Sequence, residues 1–207
     1  MPDPDYAALS ANPRQLLTWL ENNLLLAGYL QNTDNPNGTA FCTFTPPQAH
    51  ARTPAANSAG QQLDAYAVRS YGVFAGDALR AYICNYHAGQ VHSVQLGADA
   101  NFCFTVTLNG CTFGVGKATG DGSVRVSHAN TGGNTQAQRD QTFGELGGNV
   151  NIATMLEPAM YRRIGAPMNL NATVFGIRDA GAWKFHFQLY SVAGGQYTLH
   201  GVFPFPA

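Results

Sequence analysis

The sequence is poor in charge, and it lacks both a net charge and a long apolar run. Only 11% of its 207 residues are charged, against about 25% in typical soluble proteins. Its 11 basic and 12 acidic residues nearly cancel, so the chain has no net field that would attract nucleic acid or anionic lipid. No uninterrupted apolar run approaches the roughly 18 residues of a membrane span. These absences argue against nucleic-acid and membrane partners.

Paired cysteines and cofactor motifs are also missing. The four cysteines form no Cys-x-x-Cys pair, and no histidine lies at zinc-finger spacing from them. The run GVGKATG lacks the Walker spacing of a phosphate-binding loop. We therefore predict no metal site and no cofactor. Four cysteines are compatible with one disulfide pair. However, a chain of this length can bury a core without bridges, which favours reduced thiols and a cytosolic working compartment.

The N-terminal segment, MPDPDYAALS, has neither the basic nor the apolar region of a signal peptide. Together with the lack of a long apolar run, this predicts a soluble protein without a cleavable export signal. A length of 207 residues is common for one strand-rich domain. We predict a single domain over residues 1–207 and expect a monomer.

Strand patterns outnumber helix patterns along the chain. Two strands, LRAYICNY and QVHSVQL, are expected to form a hairpin, and further strands are predicted at NFCFTVTL, NATVFGI, WKFHFQLYSV and QYTLHGVF. The clearest helix runs from Pro13 to Gly28, and a second is predicted over residues 152–164. The polar residues 48–62 predict a surface loop. This mixture predicts an α+β domain built around a sheet or a sandwich.

One stretch of the sequence, residues 107–130 (TLNGCTFGVGKATGDGSVRVSHAN), places a cysteine and a histidine at the two ends of a predicted hairpin. Pairing Phe113 with Val126 puts Cys111 opposite His128 on the same face. Directly opposed Cβ atoms lie about 4.5–5.5 Å apart, which is close enough for contact. A thiol bonded to an imidazole can lose its proton near neutral pH, and the thiolate is a nucleophile. The hairpin is therefore a candidate thiol active site.

The residues around this pair support the same chemistry, but they do not require it. Asn109 and Gly110 allow a sharp turn before Cys111 and leave amide N–H groups available for an oxyanion. On spacing alone, a buried structural cysteine is the commoner explanation of a Cys–His pair. Cys84 and His92 form a rival pair that no motif supports.

The segment LNGC, followed after a Gly-containing hairpin by VSHAN, resembles the Leu-Ser-Gly-Cys…His signature of bacterial toxin glutamine deamidases. This group includes the catalytic domain of the cytotoxic necrotizing factors and the Burkholderia lethal factor. In the lethal factor a threonine stands six residues before the cysteine, where this chain has Thr105. The resemblance covers residues 102–130. Asn109 replaces the family serine.

The resemblance implies a hydrolase with a catalytic triad of Cys111, His128 and Thr105, supported by Asn109 and Gly110. The cysteine would attack the carboxamide of a protein glutamine, and the histidine would carry the proton to the departing ammonia. The resemblance also implies an α+β fold with a β-sandwich-like core of mixed sheets and peripheral helices. It further implies a secreted bacterial toxin or effector that acts on a host protein in the host cytoplasm. After a two-residue turn, Thr105 would lie on the wrong face, so the resemblance requires a wider or bulged turn.

Three alternatives remain from the sequence. A cysteine protease or a transglutaminase could use the same thiol and imidazole. A non-catalytic β-rich binding module could contain Cys111 and His128 as structural residues. The sequence does not identify the target protein or the target glutamine, because a fold and a motif do not transfer substrate choice.

Overall fold

A computed structural model of the chain describes residues 4–28, 30, 37–46, 55–73, 76–86, 88–131, 135–147, 154–162 and 170–205. Most of the elements are strands. The helices in these residues are α1 (Tyr6–Ala11), α2 (Gln15–Glu21), α3 (Thr135–Glu145) and α4 (Pro158–Tyr161). The strands are β1 (Asn23–Leu26), β2 (Asn37–Thr45), β3 (Ala55–Asn57), β4 (Gln62–Tyr71), β5 (Leu79–Cys84), β6 (Gln90–Leu96), β7 (Phe102–Thr105), β8 (Thr112–Val115), β9 (Val124–Asn130), β10 (Met155–Leu156), β11 (Leu170–Asp179), β12 (Ala182–Ala193) and β13 (Gln196–Pro204).

Eight of the strands close into a barrel in the order β4-β2-β5-β7-β11-β12-β13-β3, and β1 pairs in parallel with β4. The barrel closes through the three residues of β3, which run parallel to β13 and antiparallel to β4. The predicted α+β, β-sandwich-like core of mixed sheets with peripheral helices is therefore wrong. The closing strand is too short for an alternating pattern, and it lies in the segment 48–62 that was predicted as a loop. Residues 48–54 of that segment lie outside the described residues.

A second, separate sheet has the strand order β10-β8-β9-β6 and packs against the outer face of the barrel. Side chains alternate along each strand, so each barrel strand contributes one set to the interior and one to this interface. Phe102 and Phe104 of β7 belong to the interior cluster, which also contains apolar side chains of α1 and α2. Cys103 belongs to the interface cluster, together with Val124 and Val126 of β9.

The predicted helix from Pro13 to Gly28 is only partly correct. Helix α2 ends at Glu21, and the leucines that follow form β1. A buried glutamine on β12, Gln188, causes this change because its Nε2 donates to the carbonyls of Leu20 and Asn23, at 2.7 and 2.6 Å. The helical spacing of the leucines does not detect this long-range contact. None of the helices in the described part of the chain is long and apolar enough to cross a membrane.

The other predicted elements have mixed outcomes. Strands β11, β12 and β13 are confirmed. The expected hairpin of β5 and β6 is wrong, because β5 lies in the barrel and β6 pairs with β9 in the second sheet. The helix predicted over residues 152–164 is wrong for most of its described part, where β10 is followed by the short α4. Pro158 is the first residue of α4. A residue at this position has no partner for its N–H within the helix, so proline costs no hydrogen bond there.

Helix α3 covers the face of the second sheet that is turned away from the barrel, and it requires a glycine on β8. A Cβ atom added at Gly114 would lie 2.3 Å from Cγ2 of Thr142 and 2.9 Å from Cδ1 of Leu146. Such contacts are too close for real carbon atoms, so any larger side chain would force α3 away from the sheet.

We predict that Gly114→Ala lowers the free energy of unfolding by about 1–3 kcal/mol, the usual effect of overpacking a filled site. Chemical denaturation would measure this change. Gly144→Ala is the matched control, because a Cβ atom at this position on α3 meets nothing within 4 Å. That substitution should be neutral or stabilising by up to about 1 kcal/mol, since alanine favours a helix over glycine. Equal effects of the two substitutions would contradict the close packing of α3.

Candidate functional site

Thr105 and His128 meet at the interface between the barrel and the second sheet. Alternation along β7 turns Thr105 to the outer side of the barrel, away from Phe104. Alternation along β9 turns His128 to the same side as Val126, which faces the barrel. Thr105 Oγ1 lies 3.5 Å from His128 Nδ1, and both side chains are fully buried. The packing of two separate sheets therefore brings these residues together.

The hydrogen bonds of Thr105 determine which ring nitrogen of His128 carries the proton. The Thr105 hydroxyl donates to the Val106 carbonyl at 2.6 Å, so its only proton is already used. Its oxygen can then only accept from the ring, which places the imidazole proton on Nδ1. His128 Nε2 is left with a free lone pair, and this buried atom has no hydrogen-bond partner among the described residues. An unprotonated, unpartnered Nε2 is the form that a general base requires.

The surroundings of His128 keep its imidazole neutral. Burial, and to a lesser extent the nearby imidazole of His92, lower the pKa of His128 to about 3. His92 is the residue directly paired with His128 across β6 and β9. The ring of Tyr86 stacks against His128, with centroids 5.4 Å apart. At neutral pH the ring is therefore an uncharged base in an apolar setting.

The predicted register of the hairpin is wrong by two residues. Phe113 pairs with His128 and Val115 pairs with Val126, so Cys111 does not lie opposite His128. A shift of two keeps every side chain on its face, and apolar matching therefore cannot distinguish the two registers. In the structure the loop between β8 and β9 is longer than predicted. Asp121 stabilises this loop, because its carboxylate accepts from the Ser123 N–H at 3.0 Å.

Cys111 shares a face of the second sheet with His128, but it does not bond to it. Cys111 comes two residues before Phe113, and both side chains are in the interface cluster. Its sulfur makes no hydrogen bond to either ring nitrogen of His128 among the described contacts. The Cys111 side chain is 5% exposed. Thr105 and His128 thus form a contact pair, and the thiol lies diagonally beside it.

Cys111 differs electrostatically from the other three thiols. All four cysteines are free and buried. Burial raises the pKa of Cys84 to about 12, and it also raises the pKa values of Cys42 and Cys103. Burial also raises the pKa of Cys111, but a backbone hydrogen bond from Asn109 and the positive charge of Arg162 act in the opposite direction. Neither of these influences acts on the other three thiols.

The connection from Thr105 to β8 is wide, in place of a two-residue turn. The chain leaves the barrel after β7 and enters the second sheet at β8. Midway, Leu108 exchanges two backbone hydrogen bonds with Ala172 of β11, at 2.7 and 3.0 Å. Gly110 has φ +93°, a left-handed conformation that favours glycine. This wide connection allows Thr105 and Cys111 to face the same interface.

Side chains from two helices hold the Gly110 backbone. Its N–H donates to the Tyr161 hydroxyl at 2.7 Å, and its carbonyl accepts from Gln138 Nε2 at 3.0 Å. The Tyr161 hydroxyl in turn donates to the Cys111 carbonyl at 3.3 Å. The Gly110 N–H is therefore occupied, and it is not free for an oxyanion as the sequence predicted. Asn109, which is exposed, contributes its backbone to the Cys111 sulfur instead.

The remaining candidate histidines and cysteines have other surroundings. Cys84 donates to the main-chain oxygen of His92 at 3.9 Å, so its thiol contacts backbone. His186 stacks on Phe175, and His200 bonds to a serine hydroxyl. His50, His87 and Arg163 lie outside the described residues. Among the residues that the structure does describe, no group of three or more His, Cys, Asp or Glu side chains could hold a metal ion.

Sequence reasoning missed Tyr161, Gln138 and Tyr86. Tyr161 falls in a segment that was predicted as a plain helix, and Tyr86 follows a strand without a motif. Gln138 and Thr142 are four residues apart and lie buried on one face of α3. Because this buried face is polar, a search for apolar periodicity does not detect it.

We predict that His128 remains neutral in the folded protein down to about pH 4, because its pKa is near 3. NMR titration of the ring protons, assigned with His128→Gln, would show no shift change above that pH. The folded-state pKa is lower than the unfolded value of 6.5, so the unfolded state binds the extra proton between these values. Stability contributed by the neutral ring should therefore decline as the pH falls from 6.5 towards 3. A ring that titrates near pH 6.5 would contradict the buried environment.

Comparison with known proteins adds nothing to these contacts. No protein-family model and no curated protein matches the chain.

Proposed function

We propose that this chain is a thiol-dependent deamidase that converts a glutamine side chain of a protein substrate to glutamate. The observation that carries the proposal is the free Nε2 of His128. A buried polar atom without a partner destabilises the folded state by about 1–3 kcal/mol, and a catalytic role is one of the reasons why a native protein retains such an atom. This nitrogen lies on the face of the second sheet that also carries Cys111.

The chemistry follows from the roles that the contacts allow. Nε2 of His128 takes the proton of the Cys111 thiol as the sulfur attacks the glutamine carboxamide carbon. The tetrahedral intermediate collapses, its C–N bond breaks, and His128 gives the proton to the leaving ammonia. Water then attacks the thioester and loses a proton to His128. The C–S bond breaks, the thiol is restored, and the product is a glutamate carboxylate.

Thr105 has a positioning role in this mechanism. Its hydroxyl oxygen accepts from Nδ1–H of His128 and so keeps the free lone pair on Nε2. This is the role that a carboxylate or an amide has in other nucleophile–histidine sites. A neutral threonine suits a histidine that must remain uncharged before the thiol proton arrives.

The thiol must move to meet the imidazole, and the structure favours one side for substrate entry. Cys111 and His128 do not bond in this conformation, and both are buried. Next to Cys111 in space, the exposed residues are Asn109 and Arg162, whose guanidinium lies beside Gly110. We place the substrate on this side, where displacement of one exposed side chain opens the approach to the sulfur.

The resemblance to toxin deamidases extends the proposal to the biological setting. In that setting the chain is a secreted bacterial toxin or effector, and the substrate is a host protein in the host cytoplasm. This part of the proposal depends on LNGC and VSHAN alone. A protease or a transglutaminase on the same residues would follow the same first step, because both also form a thioester at a cysteine.

We predict that wild-type protein produced in host cells creates a glutamate at an encoded glutamine in at least one protein, and that Cys111→Ser does not. Serine is far less acidic than cysteine, so a site arranged for sulfur rarely activates it. Proteome-wide peptide mass spectrometry would identify the new glutamate. Cleaved fragments would indicate a protease and amine adducts a transglutaminase. No difference between wild type and Cys111→Ser would indicate a binding module and refute the deamidase.

We also predict that Thr105→Val lowers the deamidation rate by about 10-fold or more, which is less than the roughly 10²–10⁴-fold contribution of a general base itself. Valine keeps the branched shape and removes the oxygen that accepts from His128. Thr43→Val is the matched control, because Thr43 is also buried in a barrel strand and its hydroxyl has no hydrogen-bond partner in the part of the chain that the structure describes. If both variants retain full activity, Thr105 has no part in the reaction.

A further inference from the structure

The structure points to Gln138 as a positioning residue that aims the backbone N–H of Cys111 at the oxyanion formed during acyl transfer. This inference rests on the proposed function, and it adds a residue outside the Leu-x-Gly-Cys segment. The side chain of Gln138 is fully buried, although α3 is otherwise a strongly polar helix. A buried amide in this setting needs partners for its oxygen and its nitrogen.

Gln138 finds both partners at the start of β8. Its Nε2 donates to the Gly110 carbonyl at 3.0 Å, and its Oε1 accepts from the Thr112 hydroxyl at 2.8 Å. The Gly110 carbonyl can only accept, so it faces the nitrogen end of the amide, and the Thr112 hydroxyl, which donates to the oxygen end, holds the amide in that orientation. The amide therefore bridges the residues on either side of Cys111.

Because the peptide bond is planar, the hydrogen bond from Gln138 to the Gly110 carbonyl also fixes the direction of the Cys111 N–H. The Gly110 carbonyl and the Cys111 N–H belong to one peptide group, and the structure contains no cis peptide bond among the described residues. In a trans peptide the C=O and N–H point in opposite directions. Holding the carbonyl towards α3 therefore holds the Cys111 N–H away from α3. Tyr161 fixes the preceding Gly110 N–H, so both peptide planes at this turn are held.

The Cys111 N–H is a suitable oxyanion donor for two reasons. Among the described residues it donates to no acceptor, whereas the Gly110 N–H is already used by Tyr161. It also belongs to the nucleophile itself, so it lies close to any carbonyl carbon that the sulfur attacks. A preorganised donor of this kind contributes through its fixed direction, since it needs no reorientation when the charge forms.

Two probes of Cys111 separate this role from a general effect on the thiol. p-Nitrophenyl acetate acylates the sulfur through a tetrahedral oxyanion, with release of p-nitrophenolate. Iodoacetamide alkylates the sulfur by direct displacement of iodide, and no oxyanion forms. The ratio of the two rates, measured at the Cys111 peptide by mass spectrometry on the folded full chain, therefore reports oxyanion stabilisation.

We predict that Gln138→Met lowers the acylation rate of Cys111 by about 10-fold or more and changes the alkylation rate much less. Methionine keeps the length of the side chain and removes its donor and acceptor. Thr112→Val is a milder variant, because valine suits a strand and only the hydroxyl that orients the amide is lost. It should lower the same ratio in the same direction, and it keeps the test available if Gln138→Met does not fold.

Two matched controls distinguish positioning from loss of stability. Gln188→Met removes another buried glutamine that holds backbone groups, at β1 and away from Cys111. Thr43→Val removes a buried hydroxyl that makes no hydrogen bond to any described residue. Both should leave the ratio of acylation to alkylation unchanged, whatever they do to the melting temperature.

The outcomes separate the two proposals. A wild-type Cys111 that is neither acylated nor alkylated faster than the other three thiols would refute the proposed function. A reactive Cys111 whose ratio is unchanged in Gln138→Met, or in Thr112→Val if the former does not fold, would overturn the role of Gln138 and leave the deamidase standing. A ratio that falls equally in the controls would also overturn it, because the effect would then be a general loss of stability.

Discussion

The packing of the second sheet on the outer face of the barrel is the contact on which the candidate site depends. Apolar side chains of β8 and β9 face those of the barrel strands and exclude water from the interface. This packing buries the polar pair Thr105 and His128, which come from different sheets. Neither residue would be near the other without it. The burial of apolar area, which stabilises the interface by about 25 cal/mol per Å², therefore also positions Thr105 and His128.

The turn before the cysteine is held by side chains in place of a regular strand ladder. Residues 106–111 pass between two sheets. Leu108 pairs with Ala172 of β11, but the described residues offer the Gly110 backbone no strand partner of the kind that a hairpin would supply. Tyr161 and Gln138 satisfy the two polar groups of Gly110. Each such bond contributes a net stabilisation of about 0.5–1.5 kcal/mol. Because each bond also fixes a direction, the helices α3 and α4 set the orientation of Cys111 as well as covering the sheet.

Burial shifts the pKa values of His128 and Cys111, the two groups of the proposed reaction, in opposite directions. It lowers the pKa of His128 and keeps the ring an uncharged base, and it raises the pKa of the Cys111 thiol. In this conformation the site is therefore a neutral thiol beside a neutral imidazole. A thiolate–imidazolium pair is disfavoured by the low polarity around it. In the proposed mechanism, proton transfer is therefore best coupled to the attack on the substrate, and the positive charge of Arg162, which lowers the pKa of Cys111, favours the anionic sulfur.

The sequence by itself determined the local features: the strands β11 to β13, the pairing of β8 with β9, and the face of the sheet that carries Cys111 and His128. These follow from an alternation of period two, which depends only on neighbouring residues. The closure of the barrel through β3, the end of α2 before Leu24, and the register of β8 on β9 depend on distant contacts. The positions of Tyr161 and Gln138 beside Gly110 also depend on them. Only the tertiary structure decided these features, because a shift of two residues preserves the pattern and a buried polar side chain has no periodic signal.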